Sequence, residues 1–188
     1  MRLRLPIETE RLVLRAPSIE MAHAIQEAIE ESFAELHPWM PWAVQLQTHD
    51  ETLAFLERSQ RQFESGENFL ILGFLREGGR FALGSGLHPR VPDVPSFEIG
   101  YWCRTTLQGQ GLVGEAVKAI ARAGLIDLGA RRLEIRCDAR NLRSLRVAER
   151  AGFELEATLR NERRANDGTL SDTLVFGKIS REIGRLAD

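Results

Sequence analysis

The chain has 188 residues, 43% of them hydrophobic and 28% charged, with a formal net charge of −2. That length suits one ordinary domain and buries enough surface to fold without a disulfide or a metal. The composition excludes a disordered chain, and the balanced charge excludes a molecule drawn as a whole to nucleic acid or to an anionic membrane.

In chain order, Arg11-Leu12-Val13-Leu14-Arg15 reads as a short strand stopped by Pro17. Ser18 caps a helix whose Ile19, Ala22, Ile25, Ala28 and Ile29 recur at helical spacing. Two prolines keep Leu36-His37-Pro38-Trp39-Met40-Pro41-Trp42 irregular. Thr48-His49-Asp50-Glu51 is a capping box opening a second helix, which turns Leu53, Leu56 and Phe63 inward and closes at Gly66. Asn68 to Arg76 is apolar throughout, as in a strand covered on both faces, and Glu77-Gly78-Gly79 turns it into a second strand from Arg80 to Leu87. After a loop from Val91 to Pro95, Phe97 to Trp102 forms a third strand. It sets Phe97, Ile99 and Tyr101 on one side and Glu98, Gly100 and Trp102 on the other. A glycine-rich turn leads into a helix from about Gly114 to Leu128. Leu133 to Cys137 alternates as a strand, and Leu142 to Arg150 is a short helix ended by Gly152. Phe153 to Arg160 and Leu174 to Ile179 pair around Asn166-Asp167-Gly168. The order predicts one α/β (α+β) domain over 1–188, with a mixed sheet that is antiparallel early and has helical crossovers later.

Cys103 and Cys137 are too few for a disulfide framework or a cysteine zinc site, and His23, His37, His49 and His88 have no metal spacing, so no metal is expected. The start carries no signal-peptide core, and the longest apolar run, Phe69 to Leu75, is too short to span a bilayer. A cytoplasmic protein with reduced thiols is the expectation.

The most informative stretch is Gln108-Gly109-Gln110-Gly111-Leu112-Val113-Gly114. Glycines let a backbone approach a ligand, and the next helix offers free N–H groups and a positive dipole end, as a pyrophosphate requires. A tight turn between strand and helix explains the same glycines. Gly109, Gly111 and Gly114 also spell G-x-G-x-x-G, with Asp138 near the end of the next strand. Against a dinucleotide site stand the polar Arg104-Thr105-Thr106 before the turn, the half-chain preceding it, and the antiparallel finish.

From the strand Phe97–Arg104 through this turn to Asn141 and Ala151-Gly152-Phe153, the chain resembles the GNAT acetyltransferases. Glu8-Thr9-Glu10-Arg11-Leu12-Val13-Leu14-Arg15 and His37-Pro38-Trp39-Met40-Pro41-Trp42 resemble the RimJ/RimL branch, which acetylates ribosomal-protein N-termini. The resemblance runs from about residue 8 to 180 and implies a mixed, mostly antiparallel sheet flanked by helices. One position departs from the family turn: Val113 stands where Gly or Ala is usual. The resemblance implies acetyl transfer from acetyl-CoA directly to an amine. The acceptor would be a protein N-terminus, with a small-molecule amine or a non-catalytic CoA-binding module as alternatives, and homodimerisation a family expectation.

On that resemblance, the pyrophosphate falls to Gln108, Gly109, Gln110, Gly111, Leu112, Val113, Gly114 and Glu115, and the pantetheine arm to the main chain of Trp102, Cys103 and Arg104. Glu98 is the candidate base for the amine, or else a solvent-facing strand residue. Many relatives place a tyrosine seven residues after the asparagine to protonate the thiolate; here that position is Ala148. Ser144 is the substitute, or an ordinary polar residue near a helix start. Asn141 bonds the cofactor arm, caps the helix, or both. Trp39 and Trp42 form an acceptor wall or simply pack their loop. His88 is an alternative base. Arg140 and Arg143 flank Asn141 where guanidinium forks suit phosphates. Only Lys118 and Lys178 are lysines among 25 basic residues, and the arginines from Arg131 to Arg164 suggest a local positive field beside the cofactor.

Overall fold

In the computed structural model, which describes residues 2–91 and 93–180, one sheet runs the length of the molecule. Its first half holds β1 (Ile7–Glu8), β2 (Leu12–Arg15), β3 (Phe69–Leu75) and β4 (Phe81–Val91), each antiparallel to the next. Its second half holds β5 (Val94–Glu98), then β7 (Arg132–Asp138), β9 (Leu170–Ile179) and β8 (Glu154–Arg164). Among the described residues only β5 and β7 pair in parallel, and β6 (Tyr101–Cys103) pairs with β4 alone. The helices are α1 (Ala22–Leu36), α2 (His49–Ser65), α3 (Leu112–Asp127) and α4 (Leu142–Arg150).

The sheet separates two apolar layers. Ile25, Ala28 and Ile29 of α1 and Leu56 of α2 close on Leu72, Phe74 and Phe81. Val117, Ile120 and Ala121 of α3 close on Leu83, Leu87, Leu133, Ile135 and Phe176 from the other side. That double cover is why β3 reads as apolar throughout. Each fully buried side chain of this size contributes about 1.5–3 kcal/mol. Among the described residues, no helix is long and apolar enough to cross a membrane.

Several local expectations hold in detail. Both halves of the Thr48–Glu51 capping box form, and Gly66 closes α2 in the left-handed region at φ +77°. Ser18 accepts from the Glu20 N–H, but the chain makes one 3-10 turn over Ile19–Met21 before α1 begins. β4 runs on to Val91 and β5 starts at Val94, so the connection between them is shorter than expected. The final hairpin is longer, reaching Arg164 and Leu170, with a bulge at Arg160–Glu162 where Asn161 sits at φ +52°.

One difference matters for the site. The third strand is not continuous: β5 ends at Glu98, and β6 restarts at Tyr101 beside β4 only. The Ile99 N–H still reaches the Glu134 carbonyl at 2.8 Å. Beyond it β7 has no partner on this side, and the two strands part. Side chains keep alternating across Gly100, so the break leaves no mark on the hydrophobic pattern.

Candidate functional site

Where β6 leaves β7, the hydrogen-bond ladder says which backbone groups are free. The Arg104 N–H bonds the Ala82 carbonyl at 2.9 Å, so Arg104 and, two residues back, Trp102 direct their main-chain groups at β4. Tyr101 and Cys103 therefore direct theirs into the gap. The Cys103 carbonyl accepts from Gln108 Nε2 at 3.3 Å. The Tyr101 N–H and C=O and the Cys103 N–H form an open edge suited to an extended, amide-bearing chain. Of the strand residues expected to align such an arm, Cys103 is brought to the gap, while the backbone of Trp102 and Arg104 is turned away.

The turn after β6 also has the expected form. Gly109 and Gly111 adopt φ +76° and +81°, a region that side chains disfavour. A Cβ at Gly109 or Gly114 would meet nothing within 4 Å, so this side is open. The Glu115 N–H closes the first turn of α3 on the Gly111 carbonyl at 3.1 Å, leaving the N–H groups of Leu112, Val113 and Gly114 without helical acceptors. Val113 packs its side chain against the α3-side core, so the departure at this position adds no bulk to the N–H side.

Two assignments near the turn change. Glu115 faces the N-terminal strands: its carboxylate accepts from Thr9 Oγ1 at 2.6 Å and from the Arg11 N–H and Nε, both at 2.8 Å. Burial raises its pKa, but these bonds outweigh burial and leave it lowered. Arg104 is 4% exposed and pairs with Glu27 and Glu31 of α1 at 2.5 and 2.6 Å. Glu31 also accepts from the N–H and hydroxyl of Thr106. The Arg104 hydrogen bond, opposed by burial, holds the Glu31 carboxyl down at about 2. These side chains fasten the turn to β2 and α1, and none of them faces its N–H groups. Arg11, which also donates to the Gln110 carbonyl at 2.8 Å, was not singled out from sequence because 99 residues separate the two.

Across the gap stands α4. Asn141 caps it, its Oδ1 accepting from the Ser144 N–H at 3.0 Å. The Tyr101 hydroxyl lies 3.0 Å from both the Ser144 carbonyl and Ser144 Oγ, and the Cys137 thiol adjoins the same serine. Burial pushes the Tyr101 hydroxyl well above its ordinary pKa, so it stays protonated. A phenol thus stands beside Ser144 of α4, carried by the strand and not by the helix. The alternation that sides Tyr101 with Phe97 and Ile99 was the only signal for it. Asp138, the acid of the dinucleotide pattern, is buried and held by the Arg140 N–H and guanidinium. Arg143 spans the mouth of the gap, donating to Gln108 Oε1 at 2.8 Å and Glu35 at 3.1 Å.

The opposite face of the sheet carries Glu98, His88 and Trp102. Glu98 is half-buried, 3.5 Å from Arg90, with His88 its cross-strand neighbour on β4 and Glu134 its neighbour on β7. Burial raises its pKa; Arg90 and Arg136 pull it down, and Glu134 and Glu162 add to the rise. Trp102 lies over Gly84, where a Cβ would come within 2.4 Å of the indole, and Trp42 meets Trp102 edge-on at 6.0 Å. Trp39 joins the final hairpin through its carbonyl, which accepts from Arg163 at 3.1 Å. Asn166 donates to the carbonyls of His37 and Met40. The loop after α1 and the final hairpin thus wall this face together. Two of the arginines expected to lend a positive field are paired with carboxylates on this face. Arg132 pairs with Glu134 and Glu156, and Arg136 with Glu162, all on the Glu98 side of the sheet.

A family model described as an acetyltransferase (GNAT) domain matches residues 11–154. The ribosomal-protein-serine acetyltransferase of Escherichia coli is 39% identical over 82 residues, 44% of this chain and 45% of that protein. The chain thus matches less than half the length of that curated relative. A RimL ribosomal L7/L12 α-N-protein acetyltransferase in complex with coenzyme A superposes at a TM-score of 0.87, with 23% identity over 94% of this chain and 98% of the other. An acetyltransferase from Salmonella typhimurium that modifies the N-terminal serine of ribosomal protein L7/L12 superposes at 0.81, with 23% identity over 91% and 96% of the two chains.

Proposed function

Because the chain belongs to the GNAT acetyltransferase family, we propose that it moves acetyl from acetyl-CoA directly to an amine, and that this amine is the N-terminal α-amino group of a protein, a ribosomal protein in the first instance. The parting of β6 from β7, with Glu98 on one face and Ser144 on the other, carries the reading. The acceptor follows the activities of the similar proteins described above. Acetylation of ribosomal proteins would be a cytoplasmic activity.

The residues present fit the cofactor. The N–H groups of Leu112, Val113 and Gly114 suit its pyrophosphate, and the open edge at Tyr101 and Cys103 suits the amides of its pantetheine arm. Bound acetyl-CoA supplies the acetyl group as a thioester. An α-amino group has a pKa of about 8, so at neutral pH it arrives mostly as an ammonium. Glu98 takes a proton from it on the face walled by Trp42 and Trp102. The free N–H groups at the gap stabilise negative charge developing on the carbonyl oxygen. On the other face Ser144 donates a hydrogen bond to the departing thiolate. The Tyr101 hydroxyl, 3.0 Å from both the Ser144 carbonyl and Ser144 Oγ, holds the serine in position for that donation.

The test is acetyl-CoA with two short peptides sharing a sequence that includes lysine, one with a free and one with a blocked N-terminus. Thiol release with the free peptide alone is the expected result. Equal release with both, or release only with small amines, contradicts the acceptor assignment.

A further inference from the structure

The conversion of an ammonium into an amide strips two protons from one nitrogen. The N–C bond forms, the C–S bond breaks, the thiolate takes up one proton, and one proton goes to water. On the acetyl-transfer reading above, which this inference rests on, both protons leave the nitrogen on the Glu98 face. The thiolate's partner, Ser144, lies on the other. One carboxylate holds one proton. We propose that His88 is the second proton acceptor of this face, paired with Glu98.

The imidazole is placed for that task. Asn68 Oδ1 lies 2.7 Å from Nδ1, which puts the ring proton on Nδ1 and the lone pair on Nε2. Among the described residues Nε2 has no hydrogen-bond partner. The ring occupies space that two glycines leave open. A Cβ at Gly86 would come within 2.9 Å of the ring, and one at Gly100 within 3.7 Å of Nε2. Gly100 is the residue at which the third strand breaks, so Nε2 overlies the point where β6 leaves β7. Glu98 is directly opposite on β5, at the separation where cross-strand side chains meet. The charged groups around the pair are Arg90 on β4, which bonds Glu98, and, beyond Glu98, Glu134 and Arg136 on β7 and Glu162 on β8. Burial lowers the pKa of His88 below its ordinary 6.5, so at neutral pH the ring is uncharged and able to accept. Glu98 receives the first proton and hands it to Nε2, or to a water bonded to Nε2, and is then free for the second.

His88→Gln keeps a polar side chain but removes the proton acceptor. We expect kcat to fall roughly a hundredfold near pH 7, the lower end of the range for a single acid–base group, with KM for acetyl-CoA unchanged. The deficit should shrink above about pH 8, where the amine arrives neutral. Added imidazole should restore part of the rate. A deficit equal at every pH and untouched by imidazole would overturn the proposal. NMR titration of His88 in the wild type and in Glu98→Gln gives a readout independent of turnover. We expect the Nδ1–H tautomer and a midpoint that Glu98→Gln moves down, since the change removes a neighbouring negative charge. An unmoved midpoint overturns the pairing. A wild-type enzyme that acetylates no amine overturns the acetyl-transfer reading instead, while the titration still decides whether His88 and Glu98 act as a pair.

Discussion

Glu98 sits between opposed influences, and their balance is measurable. Burial raises its pKa while Arg90, 3.5 Å away, opposes the rise. A base with a raised pKa is lost earlier as pH falls, so the acid limb of kcat/KM should lie above the ordinary carboxylate value of 4.5. Arg90→Ala removes the opposing charge and should move that limb to higher pH; a limb that stays or moves down would reject Glu98 as the base. On the far side of the sheet, the Tyr101 hydroxyl contacts both the carbonyl and Oγ of Ser144, and the two residues should act as a unit. Tyr101→Phe and Ser144→Ala are each expected to lower kcat by roughly tenfold, and the double variant should be no slower than Ser144→Ala alone; effects that multiply would show separate roles. At this scale the family resemblance, together with alternation along the strand, singled out Glu98 and Ser144 as candidates. It could not expose the Tyr101–Ser144 bond, whose partners are 43 residues apart. It placed the main chain of Arg104 and Glu115 beside the cofactor, but the Arg104 N–H bonds the Ala82 carbonyl and the Glu115 N–H the Gly111 carbonyl.

Among elements, the capping box, the glycine-closed α2 and the crossover helix were readable because local geometry dictates them. The gap between β6 and β7 was not, because strand pairing is decided by partners distant in sequence and alternation continues across Gly100. The turn's attachment to α1 rests on Arg104 and Glu31, and it predicts a pH dependence. Glu31 titrates at about 2 in the folded protein against 4.5 for a free carboxyl. Its contribution to stability is therefore complete above pH 4.5 and is lost as pH falls toward 2. Melting temperatures measured across that window should fall less steeply for Glu31→Gln than for the wild type, and parallel curves would contradict the attachment. Thr48→Ala, which removes the cap of α2 away from the gap, should cost about 1 kcal/mol by denaturant titration while leaving thiol release unchanged.

For the molecule as a whole, the sheet acts as a partition. In the proposed reaction amine chemistry belongs to the face of Glu98 and His88, thiolate chemistry to that of Ser144 and Tyr101, and the gap joins them. The near-neutral charge acquires a structural meaning here. The arginines Arg132, Arg136 and Arg140 are matched to Glu134, Glu156, Glu162 and Asp138, so they order the strands around the gap and do not spread a field over it. The most direct measurement is a single-turnover reaction with acetyl-CoA and a peptide with a free N-terminus, followed by thiol release and by mass spectrometry of the peptide. One thiol released for each acetyl found on the α-amino nitrogen is the predicted result. Coenzyme A binding without thiol release, or acetyl found only on lysine side chains, would contradict it.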